Sequence, residues 1–479
     1  MRVTSLVLVA AASAFALVAA PVQAGAPPHA AASVPAAAPD TLRLTLDDAV
    51  KRSLTYAPDA RYARATEGVA DGQVLEALSA ALPQITGTVL YDRRFASAFK
   101  NLAGDTLFGP IFKNSSFAAV HNWTAELTAT QILWSGGRVG AGLSAARHVR
   151  GAARATRDES LADLALQVRA SYLEAVYAHD VQVIAEDALA QADAHLEQVT
   201  LFRKQGSRSE YDLLQAQVDA ANQEPRTVAA RNEAEQALLL LRRLLDLRLD
   251  RPIVLLTPLA FESGQVPMLV TQPADGATRP ALRGADDMVR ARKEALRFES
   301  AGRWPSLLAS ATVSHQAYPT EWRPARRDFV AAVDGSVKLE WPLFQGFRTF
   351  GSVQRATAEL RQAEAERDRT REGVALAVEQ ARLEVGRALA TLVARRGTAA
   401  LAQRAHHLAT VRWRNGLSTQ LEVSDARLQM QTAEVNEVAA VKDYRLSLLR
   451  LERVTGQPLA LATRSLDALT TPLSTEGAH

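Results

Sequence analysis

"FRKQGSRSEYDLLQAQVDA" runs from Phe202 to Ala220, and "VRWRNGLSTQLEVSDARLQ" runs from Val411 to Gln429. Their glycines, Gly206 and Gly416, lie 210 residues apart. Each stretch has basic residues before the glycine, then hydroxyls, then acids. Each also interrupts chain that is almost free of turn signals. Val139 to Gln205 contains no proline and only three glycines, all near its start, and Thr349 to Asn415 has the same length and again no proline. At a rise of 1.5 Å per residue, each segment is about 100 Å of helix. Glycine tolerates the left-handed conformation that ends a helix. Arg203 and Lys204, and Arg412 and Arg414, sit in the last turn, where the helix dipole favours cations. Ser207 or Ser209, and Ser418 or Thr419, can cap a returning helix, and Glu210 adds an acid to its first turn. The two stretches therefore predict two helical hairpin tips.

The seams support long paired helices. Val374, Val378, Ala381, Val385, Ala388 and Leu392 are spaced by three and four residues, as are Leu161, Leu164, Val168, Tyr172 and Ala175. These heptad-like spacings imply left-handed coiled coil. Further out, "ILWSGGR" (Ile132 to Arg138) and "PLFQGFR" (Pro342 to Arg348) align at the same 210-residue offset. Gly136 and Gly137, and Gly346, mark strand-to-helix junctions that need small residues. Pro58 and Pro83 are 25 apart, as are Pro280 and Pro305, and each pair brackets a helical pattern. The first of these patterns reads as one helix from Leu46 to Leu82, with a Thr cap. Each proline pair is followed by an alternating stretch. A period above 200 residues is too long for a solenoid and points to duplication of a whole unit. Each copy reads as helix, strand, loop, strand, long helix, glycine turn, returning helix.

In "WTAELTATQ" and "VDGSVKLEW" apolar residues alternate with polar ones. A soluble sandwich alternates in this way, and so does a membrane barrel with a wet lumen. Strand lengths near ten residues fit a tilted membrane span. Tyr91, Phe95, Phe117, Trp123, Trp134, Trp341 and Phe344 gather near strand ends, as interfacial belts do. Four strands cannot close a barrel, and open edges are not viable in lipid. Membrane strands in this chain would have to be pooled by several copies.

The chain has 479 residues, with 55 Lys and Arg against 52 Asp and Glu. A net charge of +3 carries no basic field for nucleic acid. The absence of cysteine excludes disulfides, thiol catalysis and an acylated N-terminal Cys. "MRVTSLVLVAAASAFALVAAPVQA" reads as a signal peptide cut near Ala24, followed by an Ala/Pro-rich leader to residue 40. No later segment has the run of about 20 apolar residues that a membrane helix needs. The expected organisation is signal peptide 1–24, leader 25–40, first repeat 41–252, equatorial linker 253–279, second repeat 280–458 and tail 459–479.

The duplicated plan, the paired prolines, "LWSGGR" with "PLFQGFR", and the tip "RNGLSTQLEVSDARLQ" resemble the TolC-like outer-membrane efflux channels, over about Leu44 to Pro458. The resemblance implies a mainly α protein with membrane β structure. Three copies would form a 12-stranded barrel in the outer membrane of a Gram-negative bacterium, continuous with a periplasmic helical tunnel. It implies the exit duct of a tripartite efflux or type I secretion system. The tips (Gly206, Ser207, Arg208, Asn415, Gly416, Leu417 and Ser418) would meet a periplasmic adaptor, and through it an inner-membrane pump of the RND, ABC or MFS type. By distance from the tip glycine, Glu422 and Asp425 match the family's aperture acids, and Asp212 is the first-copy equivalent of Glu422. Three apart on a helix, Glu422 and Asp425 share a face. The family's basic residue two positions after the second glycine is Ser418 here, and Arg208 holds that place in the first copy.

No catalytic constellation assembles, so neither enzyme activity nor a cofactor is expected. His406 and His407 are adjacent and make a poor chelate, so no metal site is expected. "GGRVGAG" lacks both the dinucleotide-fingerprint spacing and the Walker Lys-Ser/Thr. Pro225 predicts a kink in the first returning helix. Two other readings stay open at this point: a periplasmic coiled-coil adaptor, or a fibrous coiled-coil scaffold.

Overall fold

The computed structural model describes residues 41–96, 119–259, 265–269, 276–319, 321–459 and 461–465. The signal peptide, the leader, Phe117 and most of the C-terminal tail lie outside the described residues. The chain divides into two units at Thr41, and all the described secondary structure belongs to the unit from Leu42 onward.

The elements repeat in order. β1 (Leu42–Leu44) and α1 (Leu46–Tyr56) precede α2 (Pro58–Ser79), β2 (Gln84–Arg93), β3 (His121–Trp134), α3 (Arg138–Lys204) and α4 (Glu210–Leu244). After β4 (Ile253–Leu255) and β5 (Gln265–Leu269) come α5 (Pro280–Ser300), β6 (Ser306–Ala317), β7 (Phe329–Glu340), α6 (Arg348–Arg414) and α7 (Gln420–Thr455), and β8 (Leu461–Ser465) closes the series. The single helix expected from Leu46 to Leu82 is two helices. Pro58 pushes Ala57 out of the helical region, to φ −56° and ψ 142°, and itself starts α2 at the first helical position. Thr45 caps α1 in a reciprocal box with Asp48.

α3 and α6 are 67 residues each. Each packs against its returning helix, α4 or α7, on the tip side, and against α2 or α5 towards the strands. Thr227 donates to the Ala185 carbonyl where α4 meets α3, while Arg154 reaches Glu67 where α2 meets it. The predicted seams are the buried ones: Leu164, Val168, Tyr172 and Ala175 in α3, and Val374, Val378, Val385, Ala388 and Leu392 in α6. Many seam residues are alanine, which lets backbones approach closely. α4 runs unbroken through Pro225, which lies on its exposed face. The expected kink does not interrupt the helix.

Sequence reasoning did not foresee the small sheets at the waist. β1 pairs in parallel with β4, and β5 pairs antiparallel with β8, so the linker and the start of the tail are joined as strands. Tyr172 ties the first of these pairs to α3. Its hydroxyl donates to the Leu44 carbonyl and accepts from the Thr257 N–H.

The main sheet has the order β2-β3-β6-β7, antiparallel throughout, with β2 and β7 as free edges. The register sorts its side chains into two faces. Gly87, Leu127, Val313 and Val333 form one cross-strand row, and Tyr91, Trp123, Ala317 and Phe329 form another on the same face. The opposite face carries Thr86, Thr128, Thr312 and Asp334 in one row, and Thr88, Glu126 and Ser314 in the next. The apolar face is open: Ile85, Val89, Val333, Val337 and Leu339 are all more than 60% exposed. From Phe329 to Leu339 is about 33 Å of strand, or about 25 Å along the normal at a 40° tilt, the height of a barrel's apolar band. Among the described residues, no helix is long and apolar enough to cross a membrane.

Candidate functional site

Both tips end in the same hydrogen-bonded turn. Gly206 at φ 76° and Gly416 at φ 73° take the left-handed position after the helix. The Ser207 N–H donates to the Phe202 carbonyl at 3.0 Å, and the Gly206 N–H to that of Arg203 at 2.8 Å. The second tip repeats this, Leu417 to Arg412 at 2.8 Å and Gly416 to Trp413 at 3.0 Å. These are the two bonds of a Schellman turn, which satisfies the last carbonyls of each long helix. Of the candidate caps, Ser209 and Thr419 are the ones used. The Ser207 hydroxyl instead donates back to the Phe202 carbonyl, and the Asn415 amide to the Val411 carbonyl.

The acids near the tips have local partners. Asp212 accepts from the Ser209 N–H at 3.1 Å and hydroxyl at 2.8 Å, completing a capping box. Glu422 accepts from the Ser418 hydroxyl at 2.6 Å. Glu422 and Asp425 are exposed on one face of α7, while Val423 and Arg427 on the other face are buried. Gly206, Ser207, Asn415, Gly416 and Leu417 are exposed at the ends of the hairpins, and Ser418 is half-buried.

Behind this exposed edge is a seam that sequence reasoning missed. Trp413 is fully buried among Val199, Ala216 and Val423. Arg208 crosses from the first tip, donating to the Trp413 carbonyl at 2.8 Å and lying 4.8 Å from the centre of its ring. Arg208 thus joins the two tips within one chain. The His195 ring packs tilted against the Trp413 ring at 4.5 Å and shares a 2.6 Å hydrogen bond with buried Gln420. Asp219 on α4 accepts from Ser424 and, at 3.4 Å, from buried Arg427 on α7. Burial holds the His195 imidazole below its usual range, against the opposing hydrogen bond to Gln420. The available signal was a tryptophan three residues before a tip glycine, an apolar anchor in an otherwise charged turn.

A family model described as outer membrane efflux protein matches residues 49–246 and 276–457. The chain belongs to the outer membrane efflux protein family. The two matched stretches span the two runs of repeated elements. Solved structures share the fold at low identity. CusC superposes with a TM-score of 0.72 at 18% identity, covering 86% of this chain and 92% of its own. VceC of Vibrio cholerae gives 0.68 at 18%, covering 86% and 96%. The open-state MtrE channel of Neisseria gonorrhoeae gives 0.67 at 19%, covering 86% and 89%. No curated protein sequence matches the chain significantly. Membership places the protein in the outer membrane, with its long helices extending into the periplasm.

In this efflux protein the other candidate residues lie at the opposite end of the long helices. Gly136 at φ 63° and Gly137 at φ 84° turn β3 into α3, and Gly346 at φ 57° turns β7 into α6. A Cβ on Gly136 would sit 2.6 Å from the Trp304 Cβ, so this junction requires glycine for space as well as conformation. The second copy puts Phe347 at φ 64° where the first has Gly137. The polar face of the sheet continues here into a cavity of about 800 Å³, lined by Lys338, Glu340, Arg138 and Arg348 among others. Among the described residues no cluster of three or more metal-ligating side chains occurs.

Proposed function

We propose that three copies pool their sheets into one 12-stranded barrel and form a passive exit duct. In this reading, cargo arrives from an inner-membrane pump through a periplasmic adaptor that docks on the exposed tips. The observation that carries the reading is the four-stranded sheet itself. It has one polar and one apolar face, an apolar band of membrane height, and two free edges. In lipid every strand edge must be paired, so the sheet is complete only when sister sheets close it into a cylinder. The repeat boundaries at 41–252 and 280–458 belong to the same reading: each repeat contributes one hairpin of strands and one of helices. The test is fractionation. The protein is expected in outer-membrane fractions as an oligomer that requires detergent. Its release by osmotic shock as a soluble monomer would overturn the duct.

Glu422 and Asp425 are proposed to line the periplasmic aperture, with Asp212 beside them at the first tip. Three copies would set Glu422 and Asp425 in two acidic rings, a device for cation selectivity. Replacing Glu422 with Gln and Asp425 with Asn removes the charge while keeping an acceptor for Ser418. The cation-to-anion permeability ratio in planar bilayers is expected to fall several-fold towards unity. An unchanged ratio would remove both residues from the rings.

A further inference from the structure

The end of the sheet remote from the helices carries arginines next to an aromatic row. Counting up the apolar face of β2, Ile85, Gly87, Val89 and Tyr91 are followed by Arg93. Tyr91 lies in the aromatic row with Trp123 and Phe329, so Arg93 is the first charge beyond that row on the apolar side. Its cross-strand partner is His121, whose Nδ1 is 2.8 Å from the Tyr91 hydroxyl. The Tyr91 and Trp123 rings pack at 4.7 Å. The Trp123 indole N–H donates to the Trp322 carbonyl at 2.9 Å, which folds the β6–β7 connection over this row. That connection brings Arg323, stacked 4.7 Å from the centre of the Trp322 ring, and Arg326.

Some arginines elsewhere in the chain are ion-paired, while others, such as Arg52 and Arg138, lie over aromatic rings. Arg154, Arg279 and Arg453 each face a carboxylate. Among the described residues, no carboxylate lies within ion-pair distance of Arg93, Arg323 or Arg326, and the recorded partners of the first two are the rings of Phe95 and Trp322. The nearby acids among the described residues are otherwise placed. Asp92 is on the opposite face of β2, Asp328 accepts from the Ala325 N–H at 2.7 Å, and Glu321 is exposed on the connection. A planar guanidinium braced by an aromatic ring and lacking an acid presents its donor fork to phosphate.

We propose that Arg93, Arg323 and Arg326, set on Tyr91, Trp123 and Trp322, bind the phosphate groups of a phosphorylated glycolipid headgroup in the outer leaflet of the outer membrane. The inference rests on the barrel reading above, which turns the apolar face to lipid and this end outward. Aromatic girdles sit at the level of headgroups, and basic residues just beyond them meet the anionic layer. The opposite face cannot supply this contact, because its polar rows line the lumen in that reading.

The test uses the full-length protein purified in detergent and reconstituted into nanodiscs of phosphatidylcholine doped with diphosphorylated lipid A, dephosphorylated lipid A or phosphatidylglycerol. Lipid retained after detergent washing is measured by mass spectrometry, for the wild type and for the triple variant Arg93→Gln, Arg323→Gln, Arg326→Gln. The wild type is expected to retain diphosphorylated lipid A at least about tenfold over the other two lipids, and the variant to lose that preference. Equal retention of all three lipids by the wild type, or wild-type retention by the variant, overturns the site. The same wild-type preparation reports on the barrel. A chain that stays monomeric and soluble without detergent overturns the barrel and this site together, whereas a detergent-requiring oligomer without the preference overturns the site alone.

Discussion

Trp413→Ala is expected to separate the two hairpins at their tips. The side chain is fully buried, and removing it leaves an indole-sized void between α3, α4 and α7. Large-to-small changes of this kind cost about 3–5 kcal/mol. The loss should stay local, because the seam at the tips is distinct from the core at the waist. Hydrogen exchange checks this directly. Amides near Val199, Ala216 and Val423 should exchange faster by orders of magnitude, while those near Tyr172 and Leu241 should not change. Trp413→Phe, which keeps most of the apolar volume, should show a much smaller effect. Unchanged protection at the tips in the alanine variant would show that the indole does not hold them. Acid should loosen the same seam. The folded-state pKa of His195 is depressed below 6.5, so its contribution to stability is present above that value. The contribution is lost as the pH falls from there through the folded pKa. The imidazolium would then face Arg427 and Arg208, with Asp219 the one acid among these neighbours and His406 close by on α6.

Arg453→Ala is the second substitution with a large expected effect, and it acts at the waist. Arg453, near the end of α7, is 7% exposed, with Glu159 at 2.8 Å and Asp163 at 2.7 Å on α3. Arg279, just before α5, reaches the same Glu159 oxygen at 2.6 Å. Three segments far apart in sequence meet in this one cluster. Removing Arg453 leaves Glu159 paired with Arg279 alone and Asp163, which is 64% exposed, without its partner, so the cost is the lost charged hydrogen bonds, about 2–3 kcal/mol. A lowered apparent melting temperature of the detergent-solubilised protein is the expected readout. Adding Glu159→Gln should lower it further, since Arg279 then loses its carboxylate as well. A double variant that melts at or above the single one would show that the Arg279–Glu159 pair does not help hold the waist. Burial pushes the Glu159 carboxyl up, but hydrogen bonds from Arg453 and Arg279 outweigh it and hold the pKa below 4.5. The stabilisation is therefore present above pH 4.5 and is lost as the pH falls through the folded value.

The parts of this protein that repeat a period over many residues were legible in sequence. The 67-residue helices, their alanine-rich seams and the glycine turns at 206 and 416 follow from spacing and the absence of breakers. The alternating strands were legible for the same reason, and their register then fixed both faces. Short elements were not. β1 and β4 have three residues each, too few to show alternation, and exist because Tyr172 and the waist core give them something to bind. Side-chain partners across 200 residues were equally hidden. Nothing local to Asp219 announces Ser424 or Arg427, and nothing near Arg208 announces the Trp413 carbonyl. The aperture acids illustrate the limit. Their shared face followed from helical spacing, but the engagement of Glu422 by Ser418 and of Asp212 by Ser209 is a matter of cap geometry.

Between residues 138 and 204, and again between 348 and 414, no residue departs from right-handed helix, and no proline relieves either rod. Such a shaft has no internal swivel. The left-handed joints at its strand end are Gly136–Gly137 in one copy and Gly346–Phe347 in the other. The joints are unequal. Two glycines take up the left-handed turn of the first without a side-chain penalty, although Trp304 closes over Gly136, while Phe347 holds the same conformation in the second with a side chain attached.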